Sequence, residues 1–154
     1  MFKSYYKETV IVSLAIAMGL FMSLASILVD HLPFNYSTVF SNWAMITLVI
    51  MLVSIFVPYK EWSGKLTRLV CKDEKSIAFK LIDNILPSLI LNTCNTVFVS
   101  AANILYNEAI PAELQITHWV QGIIHDWPIM FVVSYLAAFG AEAVGKHVAD
   151  KYAR

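Results

Sequence analysis

The stretch VIVSLAIAMGLFMSLASILV, residues 10–29, carries no charged side chain over twenty positions. The hydrocarbon core of a bilayer is about 30 Å thick, and a helix needs about 20 mostly apolar residues to cross it. The stretch has that length and therefore predicts a membrane-spanning helix. Lys3 and Lys7 precede it, as basic residues precede a secretory signal peptide, but its apolar part is too long and no small-residue cleavage site follows. We expect a helix that is retained.

Three further stretches are long and mostly apolar, at residues 43–59, 85–106 and 120–141, of which the last contains His125 and Asp126. The composition agrees, because the chain is 58% hydrophobic and 14% charged, whereas soluble domains carry about 25% charged residues. These values exclude a disordered chain and a water-soluble globule. The 11 Lys and Arg balance 11 Asp and Glu, which excludes a strongly basic binder of nucleic acid. The sequence predicts an all-α, polytopic membrane protein with four transmembrane helices.

The positions of the basic residues predict the orientation. All eleven lie before the first stretch, between the second and third, or after the fourth. Residues 30–42 and 107–119 have none and carry Asp30, Glu108 and Glu113 instead. Because basic residues close to membrane spans stay in the cytoplasm, we expect both termini and the middle loop to be cytoplasmic. The predicted location is the cell (inner) membrane.

Two segments of the chain suggest an internal duplication. Residues 23–30, SLASILVD, and residues 100–107, SAANILYN, are identical at four positions. The halves 1–77 and 78–154 are then two helical hairpins, each followed by a basic segment. Two helices per copy place both copies the same way up, related by an axis along the membrane normal. The alternative is that any two membrane hairpins look alike.

Both halves carry tryptophan and proline at related positions, and the first half also carries a Met-Ser step. These residues are Met22-Ser23, Trp43 and Pro58 in the first half and Trp119 and Trp127-Pro128 in the second. Together they resemble a family of small bacterial two-helix membrane domains of unknown function. The second half lacks the Met-Ser step and the proline near the inner end. The resemblance implies a tandem copy of that domain in a bacterial inner membrane.

The layout is also similar to two families of four-helix efflux proteins. One is the proteobacterial antimicrobial compound efflux family, which is a tandem of two hairpins. The other is the small multidrug resistance family, whose four-helix subunit works as a dimer. Both families rely on a carboxylate within the first helix, and residues 10–29 contain none. The likeness implies transport by an oligomer, without that carboxylate.

Small residues at steps of four positions lie on one face of a helix and let two helices approach closely. The first helix has Ala15, Gly19 and Ser23, and the fourth helix has Ala137, Ala141 and Gly145. We expect static helix packing along these two seams. A moving interface and an oligomer contact are the alternatives.

The third helix carries a stripe of polar residues. At about 100° per residue, they fall within an arc of about 120°: Asn84, Ser88, Asn92, Asn95, Thr96 and Asn103. An unpaired amide in hydrocarbon costs several kcal/mol, so the stripe must face other helices or a water-filled cavity. It is either a hydrogen-bonded core or a substrate path. Pro87 predicts a kink beside it.

Ionisable residues are placed in the outer part of the fourth helix, at His125 and Asp126. Such groups within a membrane usually face the interior and usually matter to function. With Asp30, Glu108 and Glu113 at the same level, they predict an electronegative mouth that concentrates cations. The alternative is that Asp126 caps a half-helix, bent at Trp127-Pro128. Because a zinc-type site needs three or four convergent ligands, no metal site and no cofactor are predicted.

The segment 60–75 predicts an amphipathic helix at the membrane surface. Its apolar side has Trp62, Leu66, Leu69 and Val70, and its basic side has Lys65, Arg68 and Lys72. Such a helix is held by anionic lipid. Docking of a cytoplasmic partner is the alternative.

These observations favour a small transporter or efflux subunit for a small, cationic compound, acting as a homo-oligomer. The alternative is a non-catalytic membrane module that binds lipid or a protein partner. An enzyme is disfavoured, because no nucleophile–base set or metalloprotease motif is present. The predicted substrate path consists of Ser88, Asn92, Asn95, Asn103, His125 and Asp126.

Overall fold

The computed structural model describes residues 3–105, 107 and 109–152, without the side chains of Lys3 and Ser4. Over this range the chain forms six helices and no strand: α1 Lys3–Val29, α2 Tyr36–Phe56, α3 Tyr59–Val70, α4 Ile77–Asp83, α5 Ile85–Leu105 and α6 Ala112–Tyr152. Four segments are long and apolar enough to cross a membrane, namely α1, α2, α4 with α5, and α6. The predicted all-helical, multi-pass membrane protein is confirmed. Tyr106, Glu108 and Arg154 lie outside the described residues.

The four long helices form a ring. α1 packs against α2 and α6, and α5 packs against α6 and α2, so that α1 and α5 lie diagonally across the ring, as do α2 and α6. A two-fold axis between the hairpins would exchange α1 with α5 and α2 with α6, and it therefore requires this diagonal order. The duplication and the division into 1–77 and 78–154 stay predictions.

The core of the ring is apolar and includes the fully buried Met18 and Ile50. The outward surface is apolar too, with exposed side chains such as Phe21, Leu52 and Leu136. Helices that are hydrophobic on both sides are typical of membrane spans, because lipid replaces water around them.

The small-residue seam of α1 faces α2. Ala15 and Ser23 are fully buried. A Cβ atom at Gly19 would lie 3.2 Å from the Cα atom of Thr47 on α2. The Ser23 hydroxyl donates to the Val39 carbonyl at 3.3 Å. This seam therefore brings two helices of the same chain together.

The seam of α6 faces α1. Ala141 is fully buried, and Ala137 packs against the core at partial burial. A Cβ atom at Gly145 would lie 3.0 Å from the Val10 carbonyl oxygen of α1. Both seams are thus used within the chain, where an oligomer contact cannot reach them.

The helix α6 corrects two expectations. It runs for 41 residues, about 61 Å at 1.5 Å per residue, which is about twice the hydrocarbon thickness. Residues 112–119, expected in a loop, are its first turns. The expected division at Trp127-Pro128 is absent, since the helix continues through Pro128. Packing against α1 and α5 on either side supports it where the proline removes a backbone hydrogen bond.

The kink expected from Pro87 occurs three residues earlier, at Asn84, where α4 ends and α5 begins. Pro87 lies in the first turn of α5, where its missing N–H costs little. Its ring excludes a helical bond to the carbonyl of Asp83, four residues before it. The Ser63 hydroxyl of α3 donates to that carbonyl instead.

The helix α3 has three faces rather than the expected two. Tyr59, Ser63 and Thr67 are buried against the bundle, a docking face that the amphipathic pattern did not reveal. The predicted segment 60–75 is helical only to Val70, so Lys72 lies in the loop that follows. The expected apolar and basic residues are exposed: Trp62, Leu66, Leu69, Val70, Lys65, Arg68 and Lys72. Contact of these exposed faces with anionic lipid stays a prediction.

Candidate functional site

A cavity of about 500 Å³ lies between the four long helices, at the end of the bundle where α1 ends and α2 begins. We call it the acidic cavity, because the charged residues on its described walls are Asp30 and Asp126, with no lysine or arginine among them. Small-molecule sites have volumes of about 300–1,000 Å³. The acidic cavity is large enough for one small ligand.

The α5 wall of the acidic cavity supplies amide groups. Asn95 is 3% exposed, and its Nδ2 donates weakly to the Met22 sulfur at 3.9 Å. Its Oδ1 has no hydrogen-bond partner within the described part of the chain. Asn103 also lines the cavity and is exposed. A buried amide oxygen is therefore unpaired at a wall that a ligand can reach.

The inner half of the polar stripe has a different environment. Ser88 and Asn92 are fully buried and do not line the acidic cavity. The Asn92 Nδ2 donates to the Trp127 carbonyl at 3.0 Å. Ser88 Oγ and Asn92 Oδ1 have, like Asn95 Oδ1, no hydrogen-bond partner within the described part of the chain. The stripe thus divides by position into a buried packing part at Ser88 and Asn92 and a cavity wall at Asn95 and Asn103.

The turn after α1 positions Asp30. His31 has a left-handed backbone with φ of 51°, and the Leu32 N–H donates to the Ile27 carbonyl at 3.0 Å, which is the pattern of a Schellman turn. The Ser26 hydroxyl, one helical turn earlier, donates to Asp30 Oδ2 at 2.9 Å. This turn directs the Asp30 carboxyl toward α6.

The carboxyl groups of Asp30 and Asp126 lie within hydrogen-bond reach of each other. Two carboxylates cannot donate to each other unless one holds a proton. Burial raises the pKa of Asp30, and the charge and hydrogen bond of Asp126 raise it further, while Ser26 and His125 lower it. The net direction is upward. A cation bound beside the two carboxyl groups would offset this unfavourable arrangement of charge.

The network extends to both sides of the carboxyl pair. His125 Nδ1 lies 2.7 Å from Asp126 Oδ1, and the His125 side chain is 71% exposed. On the other side, the Asn42 Nδ2 of α2 donates to the Ser26 hydroxyl at 3.4 Å. Polar groups from α2, α1 and α6 therefore meet at the mouth of the acidic cavity.

Of the six residues in the predicted substrate path, three line the acidic cavity, namely Asn95, Asn103 and Asp126. His125 joins it through Asp126. The sequence reasoning missed the pairing of Asp30 with Asp126 and the support from Ser26 and Asn42. The pairing could have been suspected from the sequence, because Asp30 and Asp126 were expected at the same level of the membrane.

The described residues include no group of three or more His, Cys, Asp or Glu placed to hold a metal ion. The site instead combines two carboxyl groups with uncharged amides. Carboxylates attract a cation, and this attraction is stronger in a partly desolvated cavity than in water. Amides orient a ligand without adding charge.

Comparison of the chain with protein-family models, with curated proteins and with solved structures gave no match. A proposal for its function therefore starts from the geometry of the acidic cavity.

Proposed function

We propose that the protein is a small membrane transporter subunit that binds a small cationic compound in the acidic cavity. The observation that carries the proposal is the cavity itself, which places Asp30 and Asp126 together on walls whose described residues include no basic group. The two carboxyl groups on these walls would compensate the charge of a bound cation. An anion would meet two acids and no positive charge.

The carboxyl pair supplies a mechanism for exchange. A proton on Asp30 is favoured while the cavity is empty, because burial and the neighbouring Asp126 charge raise the pKa of Asp30. A cation that binds beside Asp30 favours its charged form, so that proton passes to solvent. The amide of Asn103, exposed on the cavity wall, offers the ligand a further hydrogen-bond acceptor. Cation binding and proton release are then coupled.

The proposed location is the cell (inner) membrane, with both termini in the cytoplasm and the acidic cavity at the outer side. The described lysines and Arg68 lie at the other end of the bundle: in α3, in the loop between α3 and α4, in α4, at the start of α1 and towards the end of α6. The positive-inside rule supports this orientation. A homo-oligomer is part of the proposal, since four helices enclose one modest cavity.

The experiment that tests the proposal removes one charge from the pair. We expect Asp126→Asn to insert normally and to bind tetraphenylphosphonium roughly tenfold more weakly, because this cation has no hydrogen-bond donor and loses only a charge–charge attraction of about 1–4 kcal/mol. Binding and uptake are measured on purified protein in proteoliposomes. Glu113→Gln is the matched control, since Glu113 is exposed at the start of α6 and outside the cavity.

Two results would contradict this assignment. Poor insertion of Asp126→Asn would make Asp126 a structural acceptor rather than a ligand group. Full binding by a well-inserted Asp126→Asn would move the site to the amides, with Asn95 and Asn103 as the next residues to replace.

A second candidate function is a non-catalytic membrane module. The observation that favours it is the exposed apolar side of α3, formed by Trp62, Leu66, Leu69 and Val70. The dry Asn92–Trp127 hydrogen bond also belongs to a packed core rather than to a path. A wild-type protein that binds no cation in proteoliposomes, yet recruits a cytoplasmic partner through α3, would establish this function instead.

A further inference from the structure

A second cavity lies at the opposite end of the bundle from the acidic cavity. It has a volume of about 600 Å³ and is lined by the first turns of α1, the end of α2, the start of α3 and one residue of α6. Its charged lining consists of Lys7, Lys60, Lys146 and Glu61. We call it the lysine pocket.

The lysine pocket keeps a positive charge in excess. Glu142 lies 2.8 Å from the Lys146 ammonium and 3.6 Å from that of Lys60, so one carboxylate serves two lysines. Lys7 takes part in no ion pair of the described residues. Glu61 supplies one further negative charge. Three lysines against two carboxylates leave a site suited to a singly charged anion.

The deeper wall of the lysine pocket is apolar. Val10, Ile11 and Leu14 of α1 face Ile55 and Phe56 at the end of α2. The Phe56 side chain is 78% exposed, which makes the wall continuous with the outward apolar surface of the bundle. The pocket exists because α2 ends before Pro58 while α1 continues toward Lys3. A free inorganic anion has no apolar part that could contact this wall.

We propose that the lysine pocket binds one anionic phospholipid with a single phosphodiester charge, such as phosphatidylglycerol. The phosphate lies among Lys7, Lys60 and Lys146, and an acyl chain follows Ile11 and Phe56 into the bilayer. Basic pockets between transmembrane helices on the cytoplasmic side suit anionic headgroups. This site is separate from the acidic cavity and from the exposed surface of α3, so it holds whether or not the protein transports cations.

The test is native mass spectrometry of the detergent-purified full chain, titrated with phosphatidylglycerol or phosphatidylcholine. We expect one tightly bound phosphatidylglycerol and much weaker phosphatidylcholine. The double variant Lys7→Gln, Lys60→Gln should bind phosphatidylglycerol roughly thirtyfold more weakly, because each of the two lysines contributes about 1 kcal/mol near an anionic lipid. The matched control is Lys65→Gln, Lys72→Gln, which removes the same charge from exposed positions outside the pocket.

A second variant tests the apolar wall without changing charge. Ile11→Trp fills the pocket and should weaken phosphatidylglycerol binding while leaving the lysines in place. Equal binding of both lipids, or equal weakening by both double variants, would overturn the proposal in favour of general surface attraction. Competition by inorganic phosphate, together with no effect of Ile11→Trp, would overturn it in favour of a free anion site. If the lysine variant fails to fold, Ile11→Trp alone decides.

Discussion

Asp30 and His31 show how one backbone position arranges the acidic cavity. A non-glycine residue with positive φ is uncommon, although histidine is among the residues enriched there. The left-handed His31, with φ of 51°, ends α1 and leaves the exposed Asp30 at the cavity, where the charge of Asp126 acts on it. Strained residues of this kind cluster at functional sites, and this one lies beside the carboxyl pair.

The raised pKa of Asp30 also makes the stability of the folded protein depend on pH. The folded protein holds a proton on Asp30 at pH values, above the ordinary 3.8, at which the unfolded chain has lost it. The stability that this group contributes is therefore largest at low pH and declines as pH rises through the raised pKa. Asp30→Asn cannot ionise and keeps an acceptor for Ser26, so it should avoid that decline.

We expect Asp30→Asn to unfold at a higher temperature than the wild type at pH 7, and the difference to shrink at pH 4. The rise should be small, below about 4 °C, because Asp30 is exposed in part and solvent screens its charge. Thermal unfolding in detergent, followed by circular dichroism, measures it, with Glu113→Gln as the control. A variant less stable at both pH values would show that the carboxylate's hydrogen bonds outweigh its burial.

At the scale of elements, two glycines of α6 have opposite surroundings. A Cβ atom at Gly145 would lie 3.0 Å from the Val10 carbonyl oxygen, whereas one at Gly140 would meet nothing within 4 Å. Alanine is favoured over glycine in a helix by about 0.8–1.0 kcal/mol, while overpacking costs about 1–3 kcal/mol. The difference between the positions therefore lies in the contact with α1.

We expect Gly140→Ala to raise the free energy of unfolding by about 1 kcal/mol and Gly145→Ala to lower it by up to about 2 kcal/mol, since the same helix gain offsets part of the overpacking cost. Both are the same substitution in the same helix, so each serves as the control for the other. Unfolding of the purified protein in detergent by heat or denaturant gives the comparison. Equal effects at both positions would mean that α1 can move away from residue 145 without a loss in the free energy of unfolding.

Hydropathy is sufficient to predict the bounds of a helix only where the helix crosses the membrane. It predicted residues 85–106 for the helix now found at Ile85–Leu105, because lipid demands an apolar surface over that length. It stopped the last helix at residue 141, whereas α6 extends to Tyr152. Outside the membrane, helix length depends on backbone propensity and on packing against neighbours, and apolar content carries no information about either.

At the scale of the whole molecule, the orientation in the membrane follows from the charge at the two ends of the bundle. We expect residues 30–42 to be extracytoplasmic and Cys71, just after α3, to be cytoplasmic. In intact cells, a membrane-impermeant thiol reagent should label a Ser37→Cys variant, in a Cys71→Ser background, but should not label Cys71 of the wild type. Permeabilised cells, in which both become accessible, are the control. The reverse pattern would invert the topology and place the lysine pocket outside.

The sequence alone was enough to predict the class, the number of spans and the small-residue seams, because these depend on local quantities: apolar length and spacing along one helix. It did not predict where α2 begins, since residues 36–42 were expected in a loop and form its first turns. It also identified Asp126, Asn95 and Asn103 as candidates, since polar groups in a membrane are costly wherever they lie. The tertiary structure decided which of those groups share a space. Whether Asn92 bonds the Trp127 carbonyl or Asn95 faces the acidic cavity depends on how neighbouring helices cross. Asp30 and Asp126 meet only because the turn at His31 and the α1/α6 contact bring distant parts of the chain together, and spacing along one helix carries no information about such a meeting.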